Sequence, residues 1–87
     1  MRVVYHRHFE KAYAKLRRAD QERLKERLSE YMRDPFAPVL NNHPLQGKYA
    51  GCRSINVSVD LRAIYKVVTS DTVVFVTIGT HPELYGK

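Results

Sequence analysis

The sequence predicts a small α+β domain: one strand, a helical hairpin and a three-strand antiparallel meander, with the helices packed on one face of the sheet. Three observations carry this reading. An apolar run, Val3-Val4-Tyr5, opens the chain. Apolar residues then recur at helical spacing, and from Gly51 onward the period changes from about 3.6 to 2, the spacing of a half-buried strand.

Met1 to Tyr5 reads as a short strand. From His8 to Ala19, Phe9, Ala12, Tyr13 and Leu16 fall at i, i+3, i+4 and i+7, one face of an amphipathic helix. Asp20 is placed as the N-cap of a second helix, where its carboxylate accepts from the free N–H groups of the first turn. Leu24, Leu28, Tyr31 and Met32 form that helix's apolar face, with Glu22, Glu26 and Glu30 alternating with basic residues outside. Pro35 stops it, because proline disfavours helical geometry in the preceding Asp34. Residues 34 to 50 hold Pro35, Pro38, Pro44 and the Asn41-Asn42 pair and read as a long ordered loop, a kind of segment that is often functional.

The meander follows. Cys52, Ser54, Asn56 and Ser58 alternate with Arg53, Ile55, Val57 and Val59. A break at Ser58-Val59-Asp60 leads to the strand Leu61–Val68, and a break at Thr69-Ser70-Asp71-Thr72 leads to Val73–Ile78. With the apolar helix faces on one side, the other sheet face is free to be polar, as antiparallel sheets allow.

The chain has 87 residues, read as one domain over 1–87. Its 44% hydrophobic content supports a compact fold rather than disorder. A net charge of +6 favours phosphate-rich or acidic partners. The single cysteine, Cys52, excludes an internal disulfide and fits a reducing cytosol, so a cytoplasmic location is expected. No signal peptide and no membrane-length apolar run are visible. Two ligands do not close a metal site, so His6 and His8 are read as an exposed strand-to-helix junction.

Two histidines stand at the ends of rigid elements. His81 and, four residues later, Tyr85 follow the final strand; His43 lies in His43-Pro44-Leu45-Gln46-Gly47, just before the meander. In a cationic chain this suggests acid–base work on an anionic polymer.

The segments His43–Gly47, Gly51–Ile55, Asp60–Lys66 and Gly79–Gly86, in this order and spacing, resemble the RelE/ParE toxin superfamily and within it the YafQ-like messenger-RNA endonucleases of type II toxin–antitoxin systems. The resemblance covers the whole chain and is most specific over residues 43 to 86. It implies cleavage of messenger RNA in the ribosomal decoding site, without metal or cofactor, by a toxin held in check by an acidic antitoxin. It implies catalytic roles for His43, Asp60, His81 and Tyr85. One position departs from the pattern: Asn56 stands where that branch has a histidine, and an amide cannot carry a proton through a cycle. The superfamily also contains gyrase inhibitors, so a toxin without nuclease activity and a plain RNA- or ribosome-binding module are the alternatives.

RNA cleavage through the 2′-hydroxyl needs a base, an acid for the leaving 5′-oxygen, and cations at the phosphate. On that chemistry His43 or Asp60 is the base and His81 the acid. Lys48 and Arg62 contact phosphate, with Arg53 a third candidate, and Tyr85 stacks on an unpaired base. Each residue also has a structural reading. His43 can be a backbone-bonded loop residue, His81 a strand-end ligand, and Asp60 a turn former. Arg62 can belong to a solvated strand face and Tyr85 can anchor the C-terminal segment. Arg53 is in phase with Ile55 and Val57, which suits a structural ion pair unless a bulge turns it outward.

Overall fold

The computed structural model describes residues 1–86; Lys87 lies outside the described residues. The elements run β1 (Arg2–Tyr5), α1 (Arg7–Lys15), α2 (Arg18–Arg33), β2 (His43–Pro44), β3 (Arg53–Asn56), β4 (Leu61–Thr69), β5 (Thr72–Thr80) and α3 (His81–Tyr85). One five-stranded sheet has the order β1-β5-β4-β3-β2. Strand β1 pairs in parallel with β5, and every other pairing is antiparallel. The expected α+β architecture is thus present, with two additions: the short edge strand β2, and α3 after the final strand.

Cross-strand partners share a face, so the register sorts the side chains. Arg53, Ile55, Ala63, Tyr65, Ile78, Phe75 and Val73 lie on the side that α1 and α2 cover. The core there centres on Phe75. Its ring meets Phe9, Tyr31 and Tyr65 at centroid distances of 5.6, 5.4 and 5.3 Å, in edge-on and tilted geometries that aromatic quadrupoles favour. Leu24, Leu40, Ile55 and Val57 complete it, all fully buried.

Strand β5 does not alternate strictly. Ile64 pairs with Thr77 but Tyr65 pairs with Phe75, so Val76 is an extra residue. This bulge changes the strand's phase. Ile78 stays in the core, and Thr77 and Gly79 turn to the opposite face. That face is not wholly polar, contrary to the simplest expectation. Ser54, Ile64 and Leu84 are buried, and Leu84 seats on Gly79, where an added Cβ would stand 3.1 Å from Leu84 Cδ2.

The helical region differs from expectation at one cap. Helix α1 stops at Lys15, and α2 begins at Arg18 with Arg17 as its N-cap. Asp20 is therefore not the cap. It lies in the first turn, where the Arg17 Nε–H donates to it across 3.4 Å. The Gln21 side chain donates to Tyr13 O at 2.9 Å, which ties α2 to the end of α1. At the other helix start, His6 Nδ1 accepts from the backbone N–H of His8 at 3.0 Å and caps α1, while the two imidazoles stack at 4.8 Å.

Candidate active site

Strand ends, the short helix α3 and one 3-10 turn position the site. Helix α3 is only five residues long, yet both ends are fixed. The Thr80 N–H donates to the Glu83 carboxylate at 2.7 Å and the Glu83 N–H donates to Thr80 Oγ1 at 3.4 Å, a capping box. Gly86, with φ 73°, closes the other end in left-handed geometry that glycine adopts without penalty. Four residues apart on one helical turn, His81 and Tyr85 are brought ring to ring at 4.7 Å.

Tyr85 then meets Tyr49 edge-on at 5.9 Å, and the Lys48 ammonium stands 5.4 Å from the Tyr49 ring centre. Lys48 and Tyr49 belong to the 3-10 turn Gly47–Tyr49, which links β2 to β3. A continuous ladder results: Lys48, Tyr49, Tyr85, His81. Burial, then the neighbouring Tyr49, push the Tyr85 phenol above its ordinary pKa of 10.0, and the Arg62 guanidinium pulls it down. Arg62 is thus within electrostatic reach of Tyr85, and the phenol is neutral at physiological pH. A neutral phenol offers a stacking face and a hydrogen-bond donor.

Arg62 projects from the same sheet face, paired across the strands with Asn56 and Gly79. Its Nη1 donates to Ser58 O at 2.9 Å and to Leu61 O at 3.2 Å, which holds the guanidinium at the β3–β4 hairpin. Asp60 occupies the exposed tip of that hairpin and accepts from the Ser58 hydroxyl across 3.5 Å. Asn56 is less well provided for: its Oδ1 is buried and has no donor among the described residues. Such an acceptor typically costs about 1–3 kcal/mol.

His43 lies on β2 opposite Ser54, on the face that carries Asn56 and Arg62. Its Nδ1–H donates to Asn41 O at 2.8 Å, because a carbonyl can only accept. Asn41 turns this carbonyl inward by taking a left-handed conformation, φ 45°. With Nδ1 occupied, the neutral ring presents Nε2 as an acceptor. Strands β2 and β5 are three steps apart, on the order of 14 Å at about 4.8 Å per step. His43 and the α3 residues therefore flank Asn56 and Arg62 from opposite sides.

Arg53 stands apart. Paired with Tyr65, it lies on the helix-covered side of the sheet, and its Nε–H donates to Asn42 Oδ1 at 2.8 Å. Its guanidinium stacks over Phe36 at 5.3 Å. Asn42 in turn donates to Pro35 O at 2.8 Å and to the Tyr65 hydroxyl at 2.7 Å. Arg53 is part of a clamp on the 35–42 loop, with a neutral amide as partner rather than a carboxylate, and this geometry directs it away from the site. Tyr49 is the member of this cluster that sequence reasoning passed over, although Lys48-Tyr49 puts a cation beside an aromatic ring.

The cationic, aromatic cluster lies on the uncovered face of a small mixed sheet, and that sheet with its helices is the fold of the RelE/ParE-like toxins, shared by solved structures similar to this chain. YafQ from Escherichia coli strain BL21(DE3) superposes with a TM-score of 0.83 at 28% identity, covering 99% of this chain and 100% of that one. The E. coli DinJ–YafQ complex matches at TM-score 0.76 and 33% identity over 99% and 100% of the two chains. The mRNA interferase toxin YafQ of E. coli strain K12 is 40% identical over 52 residues, 60% of this chain and 55% of the relative, so that match spans about half of the relative's length. The family model described as bacterial toxin of type II toxin-antitoxin system, YafQ, matches residues 1–86. The chain belongs to this YafQ toxin family.

Proposed function

We propose that this protein is a toxin endoribonuclease that cuts messenger RNA in the decoding site of the ribosome, in the cytoplasm, and that an acidic antitoxin neutralises it. The ladder Lys48–Tyr49–Tyr85–His81, with Arg62 beside it, carries the proposal. It sets a proton carrier, a stacking platform and two cations along one face. The relative named an mRNA interferase toxin and the YafQ protein bound to DinJ support the activity and the partner.

In this reading His43 Nε2 takes the proton from the 2′-hydroxyl. The 2′-oxygen attacks the adjacent phosphorus, the bond to the 5′-oxygen breaks, and His81 protonates that oxygen. The products are a 2′,3′-cyclic phosphate and a 5′-hydroxyl. Arg62 and Lys48 stabilise the charge that builds on the phosphate, where fixed cations act most strongly. Tyr85 stacks on the base. Asp60, at the hairpin tip, is the alternative base. The need for a 2′-hydroxyl makes the reaction selective for RNA.

Asn56 favours a second reading, a ribosome- or RNA-binding toxin that does not cut, because an orphaned amide stands on β3 where the resemblance implies a proton carrier. Induced expression in bacteria, wild type beside His81→Ala, with primer extension on an abundant translated message, separates the two. Growth arrest with new in-frame cuts, both lost in the variant, is the expected result. Arrest without cuts means binding alone.

A further inference from the structure

A groove of about 580 Å³ lies beside the site and takes no part in the chemistry above. Its lining comes from α1, which contributes His8, Lys11 and Lys15, from β5 at Val76–Gly79, and from Tyr49 and Glu83. Strand β1 pairs with β5 only from Thr72 to Phe75, so no strand covers the outer edge of β5 beyond that point. His8, Lys11 and Lys15 recur at i, i+3 and i+7, which stacks them along a single stripe facing the groove. Neither lysine forms an ion pair among the described residues, whereas Arg17, Arg23, Lys25 and Arg33 each have a carboxylate partner. Glu10, the acid of α1, lines a different groove. The carboxylate of Glu83 is engaged by the Thr80 N–H.

We propose that this groove is a second subsite for single-stranded RNA, holding the phosphates of nucleotides next to the one bound at the ladder. The proposal rests on the nuclease reading for its orientation. Continuity favours RNA over an acidic peptide: Tyr49 both lines the groove and meets Tyr85, so a strand leaving the ladder enters the groove across an aromatic face. Lys11 and Lys15 sit one turn apart, about 5–6 Å between Cβ atoms, and supply point charges to successive phosphates. Phosphate contacts of this kind add affinity and register without reading sequence.

The test measures binding of a short, fully 2′-O-methylated oligoribonucleotide, which cannot be cut, as a function of salt. Cleavage of a translated message and antitoxin affinity are recorded for the same proteins. For K11Q/K15Q the slope of log K against log salt is expected to flatten by about 1.4, at about 0.7 per phosphate contact on a single strand. K11R/K15R is expected to retain the wild-type slope, since arginine keeps the charge. An unchanged slope in K11Q/K15Q overturns the proposal whether or not the wild type cuts. An unchanged slope with antitoxin affinity lost also overturns it and gives the groove to the antitoxin. A flattened slope in a protein whose wild type does not cut messages leaves the subsite standing and removes the nuclease reading instead.

Discussion

The two faces of the sheet are built to different standards. On the covered face Phe75 is ringed by aromatics, and Asn42 makes three hydrogen bonds that tie the 35–42 loop to Tyr65 and Arg53. On the other face Asn56 has a buried oxygen without a donor among the described residues, His81 and Lys48 are exposed, and His43 is half-buried. Packing specifies the first face; the second is left unsatisfied where a substrate can complete it. Substitutions on the covered face should lower stability, and those on the other face should lower activity.

Phe75→Ala tests this most severely. It should destabilise the fold by about 3–5 kcal/mol, measured by urea unfolding, and a loss under about 1 kcal/mol would show that the aromatic cluster is not the core. His81→Ala should lower cleavage by about 10²- to 10⁴-fold while the unfolding midpoint stays put; a matching loss of stability would erase the distinction between the faces. Asn56→His, which gives the orphaned position a proton carrier, should raise cleavage by up to about 10²-fold. Unchanged rates would place Asn56 outside the chemistry. Asn42→Ala should cost about 1–3 kcal/mol by removing the hydrogen bonds to Tyr65, Arg53 and Pro35, with activity falling only as far as the 35–42 loop moves.

The smallest effect concerns alkaline pH. Burial raises the phenol pKa of Tyr5, Tyr31 and Tyr85 above 10.0. A raised folded-state pKa means that the stability held by the neutral phenol is fully present below the unfolded value, near 10, and is lost as pH rises past it. Tyr85→Phe should leave neutral-pH stability and cleavage almost unchanged and weaken the alkaline decline. Equal declines in the two proteins would show that Tyr85 does not titrate with folding.

Much of the fold was legible in the sequence because it is written in local periods. Phe9, Ala12, Tyr13 and Leu16 announce the buried stripe of α1, and the alternation through Ile55 and Val57 announces β3. The C-terminal helix was equally local: Thr80-His81-Pro82-Glu83 spells a capping box, a signal left unread. Asp20 misled because cap preference is a statistical prior, and the break in the chain falls at Leu16-Arg17, where Gln21 can reach Tyr13 O. The bulge at Val76 and the Asn42 clamp depend on partners distant in sequence, which no period reports. At the site, His43, His81, Tyr85, Lys48 and Arg62 were named from residue type and resemblance. The inward turn of Arg53 followed from its phase with Ile55, and the place of Tyr49 required the folded turn. The stripe His8, Lys11, Lys15 stands in the sequence at helical spacing, but the strand edge that makes it a groove wall comes from the fold.

The parallel pairing of β1 with β5 has a temporal meaning. Arg2 lies against Thr72, and Tyr5 against Phe75, seventy residues later in each case. Strand β1 has no hydrogen-bonding edge until β5 is made, and non-local pairings of this kind form late. His81 and Tyr85 follow that fifth strand directly. A growing chain that ends anywhere before β5 has neither the five-stranded sheet nor the ladder, so the pairing that completes the sheet and the residues of the candidate site arrive together.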